Sequence, residues 1–252
     1  KVKAKTGAGA AEIQAKTGQA FEVAAETATS QLTVGVKTNS TSDALSVKLT
    51  SAQYALIQQG THEIESLTIE AAAAQATGDA TAIDLTIDDL KAGAANKVIL
   101  KGTNDVKLTK VTSAKEIDAT ALNGTLNVGA GTAVTEGVIA GVTGVNTIAF
   151  GTITADKAVT FIGQGGKDVV TLAATDAVGA GTKAGQANIV LGLGDDKLTV
   201  TGAIAGVLSV QAGDGNDLVD LQADPTGTFV VDFGNGSDTL KVVASTDFQG
   251  AT

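Results

Sequence analysis

The chain has 252 residues and a net charge of −10, is 43% hydrophobic and 3% aromatic, and holds no Cys, Met or Trp and one each of Pro, His and Tyr. All 17 basic residues are lysine, so disulfides, Cys-based metal or haem sites, multi-His centres and bidentate Arg–phosphate recognition are excluded, and the acidity argues against nucleic acid and anionic membranes as partners. No apolar run reaches the roughly 18–20 residues of a membrane span, the hydrophobic fraction is too high for disorder, and the small, β-branched side chains predict a thin, regular core of the solenoid kind.

Residues 1–30, rich in Ala, Lys, Glu and Thr, form a first segment in which Ala10 to Ala28 reads as a frayed helix, weakened by Gly18. Residues 31–95 read as a small α/β segment. Gln31–Lys37 and Ala44–Leu49 alternate with period two and are expected to form a strand pair around the polar loop 38–43. Thr50 or Ser51 would cap a short helix from Ala52 to Gln59 that stops at Gly60. Alternation returns at Ile64–Glu70 and Ala82–Ile87, and Asp88 to Ala92 reads as one helical turn. Residues 96–252 carry short strands and small turns, beginning with Lys97–Lys101, Val106–Val111, Gly124–Val128, Asn146–Phe150 and Ala158–Ile162. Short strands with no helices between them mean a sandwich, a barrel or a β-solenoid.

An internal repeat selects the solenoid. Gly163-Gln-Gly-Gly-Lys-Asp168, Leu191-Gly-Leu-Gly-Asp-Asp196, Ala212-Gly-Asp-Gly-Asn-Asp217 and Phe233-Gly-Asn-Gly-Ser-Asp238 align on their last Asp, at separations of 28, 21 and 21. Each is flanked by two short strands, which fits one coil of two strands and two turns. The opposite turn varies: Thr201–Gly206, then Ala223–Gly227 with the only Pro, while the longer Ala173–Gln186 explains the interval of 28. From Gly163 onward there are eleven Asp, four Lys and no Glu, a net of −7, against −3 for residues 1–162.

Glycine at alternate positions lets the backbone turn with its carbonyls directed into the loop, and the Asp adds a carboxylate. With coils stacked about 4.8 Å apart, neighbouring loops would form an oxygen cage. That suits Ca²⁺, which takes about 6–8 oxygens, better than the small octahedron of Mg²⁺. The expected ligands are the carboxylates of Asp168, Asp196, Asp217 and Asp238, with Asp195 and Asp214 beside them and the main-chain carbonyls of Gly192, Gly213 and Gly234. Asp118 reads as a ligand or a coil-turn cap, and Asp105 as a plain turn.

These loops resemble the calcium-binding nonapeptide repeats of RTX proteins, G-G-x-G-x-D-x-U-x. Gln164 stands at the second position of the first copy, and Leu191, Ala212 and Phe233 replace the first glycine of the others. One copy occurs per coil, so the resemblance implies calcium on one side of the roll only. Val111–Val128, containing Ile117-Asp-Ala-Thr120 and Leu122-Asn-Gly-Thr-Leu-Asn-Val128, is similar to coils of bacterial RTX-type S-layer and large adhesin proteins. Ser42–Leu49 and His62–Ile69 also look like a recurring unit of that family. The resemblance covers roughly residues 31–252. It implies a mainly β fold, a parallel β-solenoid from 96 with calcium loops from 163, behind the smaller α/β segment.

The function this implies is that of a non-enzymatic structural protein, secreted to the bacterial cell surface. It would be an S-layer lattice subunit that assembles with its own copies in a calcium-dependent way, with a cell-surface glycan or lipopolysaccharide as the further partner. An adhesin stalk or fibre subunit, or the β-roll portion of a secreted hydrolase, are the alternatives. No catalytic group is expected. His62-Glu63 lacks the second His of a zincin, no G-x-S-x-G elbow occurs, and no G-K-[ST] follows the glycine pairs.

Overall fold

The computed structural model describes residues 2–6, 10–25, 29–62, 64–72, 85–93, 96–132, 134–140, 144–177 and 183–243. Among the described residues there are strands and turns and no helix. The strands pair in parallel, each with its counterpart in the coil before and the coil after, which defines a parallel β-solenoid. The chain divides into two compact units, Lys1–Val134 and Thr135–Thr252.

The strands of the first unit are β1 (Val2–Thr6), β2 (Ala10–Ala15), β3 (Gln19–Ala25), β4 (Gln31–Val36), β5 (Ala44–Leu49), β6 (Gln53–Tyr54) and β7 (Leu56–Gln59). They continue with β8 (Ser66–Ala71), β9 (Leu85–Ile87), β10 (Leu90–Lys91), β11 (Lys97–Gly102), β12 (Val106–Leu108), β13 (Val111–Leu122) and β14 (Leu126–Thr132). They stack on three faces. One holds β1, β3, β5, β8, β11 and the end of β13; a second holds β2, β4, β7, β10 and the start of β13; a third holds β6, β9, β12 and β14. Period-two alternation sends one residue set inward. Leu45, Val47 and Leu49 are buried while Ser46 and Lys48 face outward. The parallel register stacks these inward residues into columns such as Phe21, Val47, Ile69 and Leu100.

The expected N-terminal α/β segment is not there. Ala10–Ala28 supplies β2 and β3 in place of a frayed helix, with Ile13, Ala15, Phe21 and Val23 buried at alternate positions; residues 26–28 lie outside the described residues. Ala52–Gln59 supplies β6 and β7, and Tyr54 and Ile57 both point inward across a bend at Ala55. Asp88–Ala92 holds a bend and β10. The reason is where the backbone bonds go. Ile57 N–H donates to Asp89 O at 3.0 Å and Asp88 N–H to Tyr54 O at 2.9 Å, so each short segment is served by the next coil, whereas an isolated helix of that length barely nucleates. The expected pair of strands around loop 38–43 is also corrected. β4 pairs with β2 and β7, and β5 with β3 and β8, because the loop turns a corner between faces and does not fold back. Of the expected strand Ala82–Ile87, residues 82–84 lie outside the described residues and β9 carries the rest.

The second unit has two main faces. β15 (Val134–Ile139), β16 (Thr147–Ile153), β17 (Ala158–Ile162), β18 (Val169–Thr175) and β19 (Gln186–Leu193) alternate between them. So do β20 (Lys197–Val200), β21 (Val207–Asp214), β22 (Leu218–Leu221), β23 (Thr228–Asp232) and β24 (Thr239–Val242). One core column runs through Val159, Ala187, Leu208 and Phe229, and the facing one through Ile148, Val170, Leu198 and Val219. At the corner away from the Gly-Asp loops, Thr175, Ile204 and Pro225 form a row of single bridges. Pro225 has no N–H to give; Thr226 and Gly227 donate to Ile204 O at 2.9 and 2.7 Å. Residues 178–182 of the long turn lie outside the described residues.

Candidate metal centre

The four Gly-Asp loops make the corner between the two faces of the second unit. Gly192, Gly194, Gly213, Gly215, Gly234 and Gly236 all take positive φ, from +76° to +148°, a region costly for any residue with a Cβ. Space gives a second reason. A Cβ on Gly213 would run into Gly192 O, and one on Gly234 into Gly213 O, so the coils lie backbone against backbone. Where the repeat departs from glycine, the side chain turns inward instead: Leu191 and Ala212 are fully buried.

Asp168, Asp196 and Asp217 are 1%, 2% and 1% exposed, and Asp238 is half-buried. They form one continuous column. Asp168 N–H donates to Asp196 Oδ1 at 2.6 Å, Asp196 N–H to Asp217 Oδ1 at 2.8 Å, and Asp217 N–H to Asp238 Oδ1 at 2.9 Å. Each carboxylate thus caps the turn one coil earlier. The other oxygen, Oδ2 of Asp168, Asp196 and Asp217, is buried with no hydrogen-bond partner. Half of each carboxylate is satisfied and half is stranded, three coils running. Such a group resists ionisation. Burial pushes the Asp168 carboxyl up to about 6, against the bonds from Asn146 and helped by the charge of Asp196. Burial likewise takes Asp196 up to about 6, against the bond from Asp168 N–H and helped by Asp217 and Asp195. Asp217 is raised for the same leading reason.

The remaining expected ligands are placed differently. Asp195 is turned to the solvent side, where its Oδ1 accepts from Asn216 N–H at 2.8 Å and Asn216 Nδ2 at 3.1 Å, and these bonds hold its carboxyl below the usual range. Asp214 Oδ1 accepts from Asn235 Nδ2 at 2.8 Å. These two therefore form an outer polar row beside the buried column. Gly213 O already accepts from Asn235 N–H at 2.9 Å, so its second lone pair is what a ligand could use. Among the described residues no three carboxylate, His or Cys groups converge on one point; a cation here would be held by one column of carboxylates plus main-chain oxygens. Asp118 is a cap, accepting from Thr120 N–H at 3.0 Å and Thr120 Oγ1 at 2.7 Å, and it also pairs with Lys97 at 2.7 Å. Asp105 Oδ1 accepts from Thr125 N–H at 2.7 Å, a turn-to-turn bond.

Sequence reasoning missed Asn146. It is fully buried and extends the column one coil earlier, donating from its N–H at 3.3 Å and from Nδ2 at 2.8 Å to Asp168 Oδ1. A signal was present: Gly141-Val-Thr-Gly-Val-Asn146-Thr-Ile148 follows the same spacing with Asn for Asp. In the first unit, buried polar residues hold the corresponding sequence position. Ser30, Asp43, Asn96 and Asn104 are buried polar residues, each two positions before the first inward residue of a strand run, as Asp168 precedes Val170.

Comparison with protein-family models, with curated proteins and with solved structures finds no match. The class that fold and site define is a parallel β-solenoid whose second unit carries a buried aspartate column.

Proposed function

We propose that the chain is a non-enzymatic structural protein of the bacterial cell surface, an S-layer subunit of RTX type that assembles with its own copies when calcium is present. The observation that carries this reading is the run of stranded Oδ2 atoms on Asp168, Asp196 and Asp217. Three buried acceptors in register, on glycine turns that bring main-chain oxygens alongside, are the donor set a hard divalent cation takes. Asp168, Asp196, Asp217 and Asp238 would hold it, with carbonyls of Gly192, Gly213 and Gly234. Bound there, calcium supplies the positive charge that the buried column lacks. Without it the ionised column repels itself, so the coils are looser, and loosening passes to neighbouring coils of a solenoid. Secretion and contact with a cell-surface glycan or lipopolysaccharide belong to the same reading.

The test is calorimetric titration of calcium into the chain and into Asp217→Ala, with circular dichroism and sedimentation in millimolar calcium and in chelator. Asp217 lies mid-column, so its loss should remove sites on both sides of it. Unchanged stoichiometry, or equal β content and assembly in chelator, sinks the proposal.

A further inference from the structure

The outer face of the first unit carries a row of alternating charge. In register across successive coils stand Glu22, Lys48, Glu70 and Lys101. Glu70 is the bridge at its end, 3.2 Å from Lys48 Nζ through Oε1 and 3.2 Å from Lys101 Nζ through Oε2. Burial raises its carboxyl, yet the bonds from Lys48 and Lys101 outweigh this and hold it below the usual range. The next rung calls for an acid. The residue in register with Lys101 is Ala121, which is exposed. At this break an open cleft of about 510 Å³ is lined by Lys48, Glu70, Lys101, Asn104, Ala121 and Asn123, a volume within the range of small-ligand sites.

We propose that this cleft binds an acidic saccharide, with a uronate carboxylate taking the rung beside Lys101 where Ala121 stands. A carboxylate fits the row because Glu70 shows how one carboxylate is held between coils on this face. A phosphate dianion fits worse, since Glu70 already offsets one of the two ammonium charges. A sugar fits better than a protein partner because the apolar side chains that line the cleft are alanines, Ala72 and Ala121 with the buried Ala71 behind them, too small to seat the large anchors on which protein interfaces depend. The exposed Thr103 and Asn123 line the same cleft, and a hydroxyl and an amide suit sugar hydroxyls. The proposal stands on the first unit alone and does not depend on calcium.

The test is titration of trigalacturonate into the full chain in chelator, with maltotriose and a tri-glutamate peptide as comparisons. Trigalacturonate should bind, more weakly at high salt, and maltotriose should not. Lys101→Met should weaken binding by about tenfold or more, the usual loss for a hydrogen bond to a charged group. Ala121→Glu should abolish binding without lowering the melting temperature, because its carboxylate completes the row. No binding of trigalacturonate at millimolar concentration, equal binding of either comparison ligand, or unchanged affinity in Lys101→Met overturns the proposal. Because the ion is absent from this measurement, its failure would leave the calcium reading standing.

Discussion

Replacing Asp196 by Asn isolates the cost of the buried charge. The side chain is 2% exposed and its carboxyl is pushed up to about 6 from an ordinary 3.8. At pH 7.5 it is ionised, and holding it so costs roughly 3 kcal/mol relative to the unfolded chain. Asn has nearly the same shape. Its Oδ1 can still accept from Asp168 N–H, and its amide can donate to Asp217 Oδ1 as Asn146 Nδ2 donates to Asp168 Oδ1 at 2.8 Å. In chelator at pH 7.5, Asp196→Asn should therefore be more stable than the parent by about 2–3 kcal/mol, or roughly 5–10 °C in melting temperature. At pH 4.5 the advantage should shrink to about 1 kcal/mol, because the parent carboxyl then carries its proton in the folded state while the unfolded carboxyl is still mostly ionised; it vanishes only below about pH 4. In millimolar calcium the order should reverse, since the variant lacks one carboxylate of the proposed site. Thermal melts followed by circular dichroism at both pH values, with chelator and with calcium, read all three outcomes. A variant less stable than the parent in chelator at pH 7.5 would refute the reasoning about charge, and an order that does not reverse in calcium would refute the ion's place on the column.

For the parent chain in chelator, the raised carboxyls of Asp168 and Asp196 favour the folded state at low pH, against the lowered carboxyls of Glu70 and Asp118, whose contribution is lost on acidification. The folded state binds the protons of Asp168 and Asp196 more tightly than the unfolded one, so their contribution is fully present below about pH 4, lost as pH rises to about 6 and flat above that; denaturant titrations across this range check it. Gly213→Ala should cost about 2–4 kcal/mol in a chemical denaturation, because Gly213 sits at φ +107° and a Cβ there meets Gly192 O on the neighbouring coil. Tyr54→Phe should cost about 1–2 kcal/mol, because the fully buried Tyr54 hydroxyl donates to Val23 O at 2.8 Å and its loss leaves that carbonyl without this bond.

Strands such as Lys97–Lys101, Asn146–Phe150 and Ala158–Ile162 were legible because period-two alternation is a local signal, whereas the expected Val106–Val111 breaks after Leu108, and the long β13 and β15 went unread. The 21-residue spacing of Asp196, Asp217 and Asp238 was legible as well, since identical corners repeat identical residues, and that alone determined a stacked column. Three things were decided by the tertiary structure. The segments Ala10–Ala28 and Ala52–Gln59 became strands because their backbone partners lie in coils 20 or more residues away, which no local propensity can register. Asp195 and Asp214 stand in an outer row beside the buried column because Asn216 and Asn235 of the next coil bond their Oδ1 atoms. Asn146 joined the column because burial and a facing carboxylate, not a charge of its own, define membership. The sequence by itself determined which residues repeat; stacking determined which oxygen of each Asp is bonded and which is stranded, because that depends on the N–H groups of the adjoining coil.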